Sequence, residues 1–169
     1  DDVERFLANN DPEGALAKLD KLHQRNIAGG RAGVLRQVAL KLRRAERLRR
    51  VGKFDEASNN WTAAKKLRED MNVFDEFATL CRAQAKEGEN LIDQLQAAIQ
   101  SEDWEDALET ADRLLEIAPQ HPVAREAREQ AWAEVSATLS ESQRKRRTAP
   151  WRRANPSREA PSSLARKRM

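Results

Sequence analysis

The sequence predicts an all-α protein: stacked helix-turn-helix repeats forming a short α-solenoid, followed by a disordered basic C-terminal tail. Three observations lead there. Apolar residues recur at intervals of three and four as far as Leu139, the period of a helix with one buried stripe. Tyrosine is absent, aromatics are 5% of the chain and valine is sparse, so the residues that favour a pleated sheet are missing. Apolar residues at 39% against charged residues at 35% suit helices wetted on one side and leave too little for a core covered on two faces.

The elements follow in order. Asp11-Pro12-Glu13 opens a helix, with aspartate as the cap and proline at the first helical position, and Leu16, Leu19 and Leu22 continue it. The glycine-rich stretch 26–33 breaks the chain. A long helix is expected from 34 to about 51, stopped by Gly52, with Leu35, Val38, Leu42, Ala45 and Leu48 inward. Lys53-Phe54-Asp55 opens the next, with Ala57, Trp61, Ala64 and Leu67 on its inner face. After a turn at Asp70-Met71-Asn72, a helix from Val73 carries Phe74, Phe77, Leu80 and Cys81 inward. Gly88 either ends it or only weakens it, at about 1 kcal/mol relative to alanine. Residues 91–100 and 104–118 are helical, and Pro122 opens a last helix to about Leu139. This makes seven or eight helices without a strand.

From Gln143 the apolar period stops. The remaining stretch has three prolines and three serines, and cannot offset the entropy of being ordered. The organisation is therefore a helical domain at 1–141 and a basic flexible linker or tail at 142–169. Charge divides in the same way. From Arg144 onward ten basic residues face one acid, a balance of +9, which leaves −6 for the rest of a chain whose net charge is +3.

Several function classes are disfavoured. No run of 18 apolar residues occurs, so no membrane-spanning helix is expected. The chain begins at Asp1 without a signal-like apolar stretch and reads as a piece of a longer protein. Cys81 has no second cysteine to pair with, which suits a reducing, cytoplasmic location. Residues 103–122, DWEDALETADRLLEIAPQHP, hold six carboxylates and a histidine and raise the question of acid/base chemistry. On a helix Glu105, Glu109, Asp112 and Glu116 form one column, opposite Trp104, Ala107, Leu108, Ala111, Leu114 and Leu115. Carboxylates directed into water have nothing to drive their proton affinities apart, so the column reads as a solvated face. His23, His121 and Cys81 are too scattered for a metal-ligand set, and no nucleophile stands beside a base. The expectation is a protein that is not an enzyme and has no cofactor and no metal.

Internal similarity is the most informative feature. Residues 52–64, GKFDEASNNWTAA, can be laid over 102–114, EDWEDALETADRL, with a weaker copy at 11–22; the aligned alanines are Ala15, Ala57 and Ala107. A small alanine permits close approach of a neighbouring helix, while the aromatic and later leucines fill the layer around it. Ala45, Leu48, Gly52, Phe54, Ala57, Trp61 and Ala64, and again Trp104, Ala107, Leu108, Ala111, Leu114 and Pro119, give the chain a pattern that resembles the tetratricopeptide repeat. The family repeats every 34 residues, whereas the alanines here are spaced by 42 and then 50. The resemblance implies helix-turn-helix units that bind a protein or peptide. With the basic linker, it implies a module of a larger, multidomain protein such as a bacterial signalling protein. The groove beside Phe54, Trp61 and Trp104 is the expected contact surface.

A second surface competes with it. Arg36, Arg43, Arg47 and Arg50 form one column on their helix, broadened by Lys41, Arg44, Arg49 and Lys53, and read as lying opposite the buried stripe. Such a ridge suits an acidic protein surface or, together with the tail, nucleic acid, where released counterions favour each phosphate contact. An acidic body without a stacking platform weighs against nucleic acid. The basic ridge and the acidic column on Glu105, Glu109, Asp112 and Glu116 also allow a weak head-to-tail self-association.

Overall fold

A computed structural model describes residues 2–25 and 29–148. They form seven helices and no strand: α1 Asp2–Ala8, α2 Pro12–Gln24, α3 Gly30–Arg50, α4 Phe54–Leu67, α5 Val73–Gln100, α6 Trp104–Ile117 and α7 Pro122–Thr148. The starts follow local chemistry. Asp11 accepts a hydrogen bond from the Gly14 amide at 2.9 Å, and Asp103 caps α6 through the Asp106 amide at 3.2 Å. Helix α1 was not anticipated; its apolar face is the buried Val3 and Leu7 with the half-buried Phe6.

The feature that organises the molecule is α5. Gly88 does not break it, and the helix runs unbroken for 28 residues, about 42 Å at 1.5 Å per residue. Two helices of 14 residues lie end to end along it. Helix α4 follows its first half, where the Ser58 hydroxyl donates to the Ala78 carbonyl at 3.1 Å. Helix α6 follows the second half, with Leu114 sharing a cleft with Ile92. The two meet at Gly88, where a Cβ would lie 3.0 Å from the Phe54 ring and 3.8 Å from Ile117. A glycine here is an answer to crowding rather than a helix stop. The 50-residue spacing between Ala57 and Ala107 therefore reflects one lengthened helix serving two hairpins, α3–α4 and α6–α7.

The loops at that meeting point are knit together. The Gln120 amide donates to the Arg50 carbonyl at 2.8 Å, and the Arg49 guanidinium donates to the Ile117 carbonyl at 3.3 Å. Gly52, in the left-handed region at φ +84°, lies directly beneath the His121 ring, which a Cβ would strike. His121 is buried, and its Nδ1 accepts from the Ala124 amide at 3.3 Å at the start of α7.

Two apolar clusters lie on either side of this junction. The larger, between α1 and the first half of α5, contains Leu7, Leu42, Phe54, Trp61 and Phe74. The smaller is built of Leu91, Leu95 and Leu114 with Ala98, Ala107, Ala111, Ala124, Ala127 and Ala131. The expected burial of Ala15, Ala57, Ala107 and Cys81 is met, each being fully enclosed. Leu80 was expected inward but is 54% exposed. The inner arc of α5 centres on Phe74, Ala78 and Cys81, and Leu80 falls outside it. At the C-terminus α7 continues to Thr148, past the limits expected at 139 and 141, because Glu141, Gln143 and the basic residues after them favour a helix even without packing. The rest of the basic tail, with Trp151, lies outside the described residues.

Candidate interaction surface

Of the residues singled out as partner contacts, Phe54 and Trp61 belong to the core, with exposures of 5% and 1%. Phe54 fills the junction over Gly88, and Trp61 packs against Phe77 with ring centroids 5.9 Å apart. Neither offers its ring to solvent in this structure: helical spacing shows which face a residue occupies, but not that another helix covers it. Trp104 is half-buried against the alanine-rich cluster. A cleft of about 220 Å³ does open beside Phe54, with an apolar floor from Ala85, Ile92 and Leu114 and a charged rim of Lys53, Asp55, Glu56 and Glu89.

Helix α3 packs on α1, α2 and α4, and the arginine column lies on an exposed flank of it from which Arg36 and Arg43 reach α2. Arg36 meets Asp20 at 2.6 Å, Arg43 approaches Glu13 at 3.9 Å, and Arg50 meets Glu46 at 3.3 Å. Arg47 stands exposed beside them, lining a polar cleft with Arg43 and Arg50. Glu46 receives Arg49 at 2.7 Å and the Asn10 amide at 3.4 Å. Burial pushes its carboxyl upward, but the Arg49 and Arg50 guanidiniums outweigh that and hold it below its ordinary value. The ridge is thus largely compensated from within the chain.

The acidic column is exposed along its length, as its spacing indicated. Among the described residues only Asp112 of the four has an ion pair, to Arg128 of α7 at 2.5 Å. Cys81 is enclosed, and burial pushes its thiol up to about 11, so it is protonated at neutral pH. Among the described residues no cluster of three or more His, Cys, Asp or Glu side chains could hold a metal ion, and no helix is long and apolar enough to cross a membrane.

The most conspicuous apolar surface was missed by sequence reasoning. Trp132 of α7 is 64% exposed and Leu139 is 60% exposed. Trp132 walls a cleft of about 310 Å³ with Leu108 of α6, and Asp112, Arg128 and Glu129 complete its lining. Helix α7 buries only Ala124, Ala127 and Ala131 against its neighbour. A separate stripe, Trp132, Val135 and Leu139 at i, i+3 and i+7, lies about a quarter turn away. The signal was present in the sequence, since a large aromatic stood next to a run of alanines already filling the inner face.

Compared with protein-family models, with curated proteins and with solved structures, the chain matches none of them.

Proposed function

We propose that this chain is a non-catalytic protein–protein interaction module of tetratricopeptide-like type, a scaffold within a larger multidomain protein, and that its contact surface is the α6–α7 face around Trp132. The exposure of Trp132 carries this reading. A tryptophan standing in solvent beside a cleft with an apolar wall and charged rim has the anatomy of a binding anchor, where large aromatics concentrate affinity. Helices α4 and α6, equal in length and each with an enclosed alanine at its fourth position (Ala57 and Ala107), support the reading as related units. A nucleic-acid role for the arginine ridge loses support, because Arg36, Arg43 and Arg50 already face Asp20, Glu13 and Glu46. The test is partner capture by the whole chain with and without nuclease. Capture should resist nuclease and be lost in Trp132→Ala at unchanged helical circular dichroism. Capture abolished by nuclease, or indifferent to Trp132, would refute the assignment.

A further inference from the structure

Helix α7 is almost twice as long as the helix it packs on. At 27 residues against 14 for α6, it runs about 20 Å beyond its support. The apolar cluster beneath it ends at Ala131. Trp132, Val135 and Leu139 lie at and beyond that edge, with Trp132 and Leu139 well exposed. A stripe spaced by three and four residues on an overhanging helix has the spacing of a two-helix seam.

Charge identifies the other helix. Around the stripe's start α7 carries Glu126, Glu129 and Glu134 against Arg125 and Arg128, the latter paired with Asp112, whereas the sequence of its last turns is basic at positions 144–147. The excess of negative charge at that end comes mainly from Glu105, Glu109 and Glu116 on adjacent α6, Asp112 being paired with Arg128. Two parallel copies would set basic end against basic end. Two antiparallel copies would set each basic end beside the acidic end of the other, while Leu139 of each copy lay across Val135 and Trp132 of its partner. One surface is then complementary to itself under a two-fold axis, as a symmetric dimer requires.

We infer that the α6–α7 face binds a second copy of this chain, the two α7 helices crossing antiparallel near Val135 through the Trp132, Val135 and Leu139 stripe. This rests on the interaction reading above and names its partner. The helices share only a few turns, so the interface belongs with weak, salt-sensitive contacts rather than obligate dimers.

Sedimentation equilibrium of the whole chain over a concentration series, at low and high salt, tests it. A monomer–dimer equilibrium tightening at low salt is expected. Trp132→Ala and Leu139→Asp should each weaken it by at least about tenfold with unchanged circular dichroism. Glu129→Lys should weaken it as well, and Lys145→Glu added to Glu129→Lys should restore it. Monomer at every concentration, or a dimer indifferent to both Trp132 and Leu139, overturns the inference. To separate its failure from that of the interaction reading, a benzophenone is attached at Gln143→Cys; the enclosed Cys81 leaves the new thiol as the one labelled. Irradiation in lysate should yield an adduct of twice the chain mass. Adducts only with other proteins overturn the second copy and leave the interaction reading intact, and no adduct at all overturns both.

Discussion

The two halves that share α5 are built on opposite principles. The N-terminal half fills its interior with bulk, enclosing Trp61, Phe74, Phe54, Leu7 and Leu42, and ties its exterior with ion pairs. Arg68 is their centre, reaching Asp70 at 2.6 Å and Glu4 at 2.8 Å, with Arg31 also on Glu4. The Arg68 guanidinium holds the Asp70 carboxyl down to about 2 and depresses Glu4 as well. The C-terminal half has six alanines, three leucines and no fully enclosed aromatic, and among the described residues its ion pair is Asp112–Arg128. Alanine lets helices approach closely but buries little area, so adhesion there depends on backbone proximity rather than volume. The first half is closed, whereas the second keeps its one large aromatic of α7, Trp132, outside. A thin core with an anchor left in water suits a surface meant for a partner.

The comparison makes the halves respond oppositely to a change of volume. In the N-terminal half the damaging change is loss. Trp61→Ala should cost about 3–5 kcal/mol in chemical denaturation, through the cavity it leaves. Trp61→Phe should cost much less, because the buried Trp61 Nε1 has no acceptor among the described residues and phenylalanine removes that orphan donor. Equal losses for the two variants would show that volume is not what the aromatic supplies.

At the junction the sensitive quantity is backbone shape. Gly52→Ala places a side chain at φ +84° and drives it into the His121 ring. The expected loss is about 2–4 kcal/mol, from left-handed strain plus displacement of the ring. If the halves melt as one unit in the native chain, this variant should separate their transitions in calorimetry. A single sharp transition in Gly52→Ala would mean that the shared α5 couples the halves without the loops. In the C-terminal half the damaging change is gain. Ala107→Leu should overpack a fully enclosed site by about 1–3 kcal/mol, and an unchanged melting temperature would remove Ala107 from the close contact assigned to it.

What could be read in the sequence follows the same division between local and distant causes. The starts of α2, α6 and α7 were legible because caps and prolines act on their own turn, as Asp11 and Asp103 do. The enclosed alanines were legible because small residues at helical spacing have few other uses. Whether α5 is one helix or two was not, since the answer lies in Phe54 and Ile117 arriving at Gly88 from far along the chain. The arginine column was legible as an exposed group, but its ion-pair partners were not, because a period fixes the face and not the neighbour that meets it. Asp20 and Glu13 on α2 were that neighbour. Trp132 was overlooked for the complementary reason: the alanines of α7 satisfied the helical pattern and left nothing to ask what the tryptophan was for.

The smallest effect is a dependence on pH at the place where the halves touch. Burial lowers the His121 pKa from its ordinary value; Asp55, Glu56 and Glu89 line the same cleft, yet desolvation of the ring decides the direction. A histidine whose folded value is depressed contributes in its neutral form, so its contribution is complete above the unfolded value of about 6.5. As pH falls below that, the unfolded chain takes up the proton first, and stability declines. Protonation also removes the lone pair with which Nδ1 accepts from the Ala124 amide, so the first turn of α7 loosens together with the contact on Gly52. Amide hydrogen exchange should therefore rise at the start of α7 and at residues 50–53 on going from pH 7 to 5, after correction for intrinsic rates, and less in the Trp61 region. His121→Asn keeps a capping oxygen at the same place without the titration. Its stability should be nearly flat across that window. A slope equal to that of the native chain would show that the pH response belongs to the surface carboxylates and not to the junction.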